Sequence, residues 1–163
     1  MSFPSYELSF DGRLLTRGFW VYVWRVEDPL ARLVVHYVGR TGDSSSANAG
    51  SPFSRMSAHL GRNTKGNALR RNLVLAGLTP ERSRFSLLAL GPLFLEQSTL
   101  EAHRLVRDRA AAIEAALAAE LRKGGFRVLG NHPRERRMLA EDAERLRSIV
   151  DQATAWIAGR HER

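Results

Sequence analysis

Apolar residues come in patches along this chain, and their spacing changes from one patch to the next. The run Phe19-Trp20-Val21-Tyr22-Val23-Trp24-Arg25-Val26 is aromatic and β-branched almost throughout, and Glu27-Asp28-Pro29 breaks it as a turn would. Leu33-Val34-Val35-His36-Tyr37-Val38-Gly39 has the same character, so the two runs predict a pair of antiparallel strands. Residues 41–50 are polar and rich in Gly, Ser and Asn, which predicts a mobile loop. Ser51-Pro52 supplies an N-cap followed by proline at the first helical position, opening a helix that runs through Leu60. A second helix is expected around 67–76, stopped by Gly77, and Phe85 to Leu90 reads as a third strand closed by Gly91-Pro92.

From about 97 to 123 the period becomes helical, with Val106, Ala110, Ile113, Leu117 and Leu121 on one stripe and Gly124-Gly125 ending it. Residues 126–129 have the length of a short strand. Over about 135–158 an amphipathic face carries Leu139, Leu146, Ile149, Val150, Ala153, Trp156 and Ile157. No repeat of solenoid length is visible. These elements predict an α+β domain spanning 1–163: a small three-stranded antiparallel sheet flanked by helices, with an added C-terminal amphipathic helix against the body or a partner.

Composition narrows the partner. The 163 residues carry 25 Lys plus Arg against 17 Asp plus Glu, a net charge of +8 spread along the whole length. Such a surface suits a polyanion, because neutralising phosphates releases counterions. Lys65 and Lys123 are the only lysines, and arginine suits bidentate phosphate contacts, although a GC-rich coding sequence explains the same ratio. The absence of cysteine excludes disulfides and thiolate metal sites. No basic segment leads into an apolar run at the N-terminus, and no stretch approaches the roughly 18 apolar residues of a membrane span. A soluble cytoplasmic protein without a membrane partner is the expectation.

Two aromatic strands, each bearing a tyrosine, followed by an arginine on a helix, resemble the GIY-YIG nuclease superfamily. Val21-Tyr22 stands for the first half of the motif and Tyr37-Val38-Gly39-Arg40-Thr41 for the second. In the first half Trp20 replaces the family's glycine, although Gly18 lies two residues earlier, and the 14 residues between Tyr22 and Tyr37 imply a longer hairpin turn. The rival alignment, Gly18-Phe19-Trp20, puts tryptophan where a phenol is wanted. Arg55 and His59 are four apart on one helix face, a spacing found in the restriction-enzyme branch of the family. Glu114 and Asn131 resemble the family's metal-binding glutamate and its late asparagine, so the likeness covers about residues 18–132.

The resemblance implies a metal-dependent endonuclease acting on DNA, RNA not being excluded. Phosphodiester hydrolysis needs a deprotonated water, positive charge on the developing oxyanion and in-line geometry. On that reading Glu114 ligates Mg²⁺ or Mn²⁺, Arg55 clamps the phosphate, and His59 orients a tyrosine hydroxyl or relays its proton. A phenol titrates near ~10, so Tyr22 and Tyr37 need nearby cations to act as bases; both are assigned and neither is ranked. Arg40, Lys65, Arg70 and Arg71 are expected to contact nucleic acid, and residues 41–50 either border the cleft or form a plain surface loop.

Each residue also has a structural reading. Strand tyrosines serve as core residues, Arg55 as a solvated charge, His59 as a cap or packing group, and Asn131 as a turn former beside Gly130. Glu101, Glu114 and Glu120 share one helix; Glu101 faces away from the apolar stripe, while Glu114 and Glu120 border it, with Glu114 preferred. A nucleic-acid-binding module without catalysis, and a helical interaction protein working through the stripe that ends in Trp156 and Ile157, are the competing functions. The same stripe offers a homodimer contact.

Overall fold

A computed structural model describes residues 3–42, 46–61, 67–132 and 138–160. The two aromatic runs form β1 (Phe19–Asp28) and β2 (Leu33–Arg40), which pair antiparallel. They are followed by α1 (Pro52–Leu60) and α2 (Ala68–Leu75), then β3 (Arg84–Phe94), α3 (Leu100–Lys123), β4 (Val128–Leu129) and α4 (Ala140–Ala158). The sheet has four strands in the order β3-β1-β2-β4. This corrects the three-stranded antiparallel expectation: residues 128–129 do form a strand, and it runs parallel to β2, making the sheet mixed.

β1 is a nearly continuous apolar run because both of its faces are covered. On one face Val21 and Val23, with Val38 and Leu90, pack against Ile113, Leu117 and Leu121 of α3 and Ile149, Ala153 and Ile157 of α4. On the other, Tyr22, Trp24 and Val26, with Val35 and Tyr37, pack against Leu69 and Leu73 of α2 and against Leu78. The apolar stripe of α4 is therefore spent inside the chain, with Ile157 fully buried. Leu146, Val150 and Trp156 of the same stripe are half-buried at its margin, and Leu139 is exposed.

Other expectations shift at their edges. β3 runs through Gly91-Pro92 to Phe94, which an edge strand tolerates because a missing N–H there breaks no ladder on the open side. The C-terminal helix starts at Ala140, not near 135; residues 133–137 lie outside the described ones, and Leu139 is its extended N-cap. Asp142, in the first turn of α4, is buried and receives Arg109 Nε and Nη2 at 2.9 and 2.8 Å and Arg145 Nη1 at 3.0 Å. Both guanidinium groups lie over the Phe94 ring, so this clasp joins α3, α4 and the end of β3.

The loop after β2 is anchored in its described part. Thr41 is buried, with its hydroxyl donating to Gly18 O at 2.5 Å and accepting from Trp20 N at 2.9 Å. Ala49 N donates to Glu96 at 2.9 Å, and His103 of α3 meets Ala47 O at 3.0 Å. These contacts draw residues 46–50 toward the start of α3, and none of them lines the cavities described below.

Candidate active site

Tyr22 stands opposite Gly39 in the β1–β2 register, and Tyr37 opposite Trp24. Both phenols therefore leave the same face of the sheet as diagonal neighbours. A Cβ on Gly39 would lie 2.5 Å from Tyr22 Cε2 and 2.7 Å from its hydroxyl oxygen. The Tyr22 ring thus lies across β2 in the space that only glycine leaves there. Its hydroxyl emerges at the outer edge of β2, 3.2 Å from Arg40 O and 2.5 Å from His59 Nε2.

His59 arrives from α1, whose start is fixed by Ser51: Pro52 occupies the first turn, and Ser51 and Ser54 form a reciprocal capping box. The buried imidazole sits between the two phenols, with ring centroids 5.7 Å from Tyr22 and 5.6 Å from Tyr37. Arg55, one turn earlier, places its charge and a hydrogen bond on the Tyr22 hydroxyl. Burial pushes the Tyr22 phenol well above its ordinary value; Arg55 opposes this, while Tyr37 and Glu114 add to it. The resting phenol is protonated.

Arg40 and Glu114 come from the opposite side of the sheet. Arg40 is paired with Val21 in register and so faces α3, where its Nε lies 2.9 Å from Glu114 Oε2. Glu120 instead pairs with Lys123 at 2.5 Å, and Glu101 is exposed, so Glu114 is the carboxylate of this helix that reaches the site. The two sides meet because β4 pairs with His36 and Tyr37, and among the described residues no strand pairs with that edge of β2 beyond them.

A cavity of about 170 Å³ opens at that edge, lined by Tyr22, Tyr37, Arg40, Arg55, His59 and Glu114. A second, of about 330 Å³, shares Tyr37, Arg40, Ala68 and Glu114 with it and continues past Arg71, Asn72, Asn131 and His132. Asn131 and Arg71 thus share a cavity with Tyr37 and Glu114 but not with Tyr22, Arg55 or His59. Arg70 is engaged elsewhere, by Glu81 and by Leu60 O, and it lines neither cavity. Lys65 lies outside the described residues.

The sequence reading missed His132 and Asn72. His132 Nδ1 accepts from Arg122 at 3.1 Å, so Nε2 carries the hydrogen and donates to Val38 O at 3.0 Å. Burial, together with the Arg122 charge, lowers its basicity, and the neutral ring braces the turn holding Asn131 against β2. Its position directly after Asn131 was the available signal. Asn72 carried none, since a polar residue on a short helix is ordinarily solvated.

Among the described residues no three His, Cys, Asp or Glu side chains group as a metal cage, which does not suit zinc. Glu114, partly buried and ion-paired with Arg40, is the one carboxylate among the described residues that lines the cavity, the kind of oxygen ligand that suits Mg²⁺ or Mn²⁺. Comparison with protein-family models, curated proteins and solved structures gave no match, so the family likeness rests on the residues themselves.

Proposed function

We propose that this chain is a metal-dependent endonuclease that hydrolyses phosphodiester bonds in DNA. The observation that supports this best is the single 170 Å³ cavity bordered by Tyr22, Tyr37, Arg55, His59 and Glu114, drawn from β1, β2, α1 and α3. Glu114 would hold Mg²⁺ or Mn²⁺, which when bound would neutralise charge at the phosphate and make the attacking water more acidic. Arg55 clamps a non-bridging oxygen pair with its planar fork. Because burial disfavours a phenolate at Tyr22, the hydroxyl takes the water's proton while passing its own to His59 Nε2, 2.5 Å away. No buried anion then accumulates on the tyrosine. Tyr37 lines both cavities and orients the phosphate where they join.

One observation favours a second reading, a nucleic-acid binder that does not cut: Arg40 lies against the site's carboxylate at 2.9 Å. Incubation with supercoiled plasmid, single-stranded DNA and RNA, each with Mg²⁺, with Mn²⁺ or with a chelator, separates the two. The endonuclease reading expects metal-dependent nicking or linearisation. Retardation without cutting transfers the case to the binder, and neither result leaves both readings untenable.

A further inference from the structure

We propose that the larger cavity is a nucleobase site, holding one unpaired base of the strand whose neighbouring phosphate is cut. This rests on the endonuclease reading for its position along the strand, though not for the binding itself.

The cavity has the lining that a flat heteroaromatic ring requires. Ala68, Ala111 and Ala115 give it a low apolar wall, and Tyr37 contributes an aromatic ring at the boundary with the catalytic cavity. At about 330 Å³ it falls within the ~300–1,000 Å³ of small-molecule sites. Space is held open by Gly130, whose φ of +88° excludes most side chains. The point where its Cβ would stand is 3.3 Å from Asn72 Nδ2, 3.4 Å from Tyr37 Cε2 and 3.6 Å from His132 Cε1, so these groups converge on one volume.

The polar groups sort by what they can still offer. Both nitrogens of His132 are committed, to Arg122 and Val38 O, which leaves its ring as packing surface. Asn72 and Asn131 carry the amides. Each offers an acceptor and a pair of donors, the complement of the mixed donors and acceptors on a base's Watson–Crick edge. Arg71, exposed at the rim, lies where it can meet a strand phosphate. A paired base within a duplex has its Watson–Crick edge covered and its faces stacked, so only an unpaired or extruded base presents the surfaces this cavity matches.

The test uses the full chain without metal, so that nothing is cleaved. The four deoxynucleoside monophosphates are titrated while the side-chain amide resonances of Asn72 and Asn131 are followed by NMR, with 2-deoxyribose 5-phosphate as the baseless control. At least one nucleotide is expected to move both amides, the baseless control neither, and Asn72→Ala to weaken binding about tenfold while the backbone spectrum stays folded. Equal shifts from the baseless control, or no nucleotide-specific shift, would overturn the proposal. A single-stranded oligonucleotide and the same sequence as duplex then compete with the best mononucleotide. Displacement by the single strand alone identifies an already unpaired strand, displacement by both identifies extrusion from a duplex, and displacement by neither rules the site out for strands. A chain that cuts DNA but fails these titrations keeps its nuclease reading and loses the base site; one that passes them and never cuts does the reverse.

Discussion

Replacing Gly39 with alanine should damage stability and catalysis through one contact. The added Cβ would stand 2.5 Å from Tyr22 Cε2, and ordinary contact begins at about 3.4 Å, so the ring must retreat by about 0.9 Å. It has little room, being 2% exposed and packed against His59 and the α2 side of the core. Overpacking of this kind costs about 1–3 kcal/mol, which for a chain of this length lowers Tm by roughly 2–12 °C. Moving the hydroxyl by nearly the same distance takes it off His59 Nε2, and a misplacement of ~1 Å typically costs about 10²-fold in rate. Circular dichroism melts and plasmid nicking measure the two effects. The decisive control is Tyr22→Leu, which removes the ring: in that background Gly39→Ala should cost little, giving a coupling of about 1 kcal/mol or more. Equal penalties in both backgrounds, or an unshifted Tm in the first, would refute the reasoning.

Glu114→Gln should abolish cleavage while leaving DNA retardation nearly intact, since it removes the metal's carboxylate without touching the basic surface; activity within a few-fold of wild type would sink the metal assignment. Arg55→Lys should lower cleavage by at least tenfold, because a point charge cannot reproduce the fork at a phosphate, and normal cutting would reduce Arg55 to a surface charge. In an alkaline absorbance titration one phenol should resist ionisation beyond the usual ~10 and be missing from Tyr22→Phe. Its raised folded value means that this contribution to stability is complete below the unfolded pKa and lost as pH rises above it. At the acid end, burial raises Asp142 but the hydrogen bonds from Arg109 and Arg145 outweigh it and hold the carboxyl below its ordinary value. The clasp is then intact above the unfolded pKa near ~3.9 and lost as pH falls through the lower folded one, and Asp142→Asn should remove that acid dependence. The variant should also cost about 1–3 kcal/mol at neutral pH, less than a fully buried pair because both guanidinium groups reach solvent.

Much of the frame is legible in the sequence because its signals are local. Val21 to Val26 reads as a strand since both faces are covered, and Ser51-Pro52 announces α1 through a capping box within four residues. The convergence of Tyr22, Tyr37, Arg55, His59 and Glu114 follows once the strands and helices are placed. What escaped depends on distant partners or on very short elements. A short strand at 126–129 is readable, but its parallel pairing with β2, which makes the sheet mixed, is not, because two residues carry no register signal. Nothing in residues 46–50 announces that Glu96 and His103 will hold them, and nothing near Arg70 announces Glu81. The stripe on α4 was visible; that the chain's own sheet would consume it was not, because amphipathicity specifies a buried face without naming what covers it.

An open strand edge normally invites another chain to add to it, and among the described residues no strand pairs with the outer edge of β2 beyond Tyr37. Here side chains stand in for the missing strand: His132 donates to Val38 O, and the Tyr22 hydroxyl lies against Arg40 O, the next outward-facing carbonyl. A peptide seeking that edge would find Val38 O taken by His132 and Arg40 O screened by the Tyr22 hydroxyl. On the proposed mechanism, one tyrosine would serve the chemistry and screen an open strand edge at once. Loss of Tyr22 and His132 together would leave a sticky edge as well as an idle site.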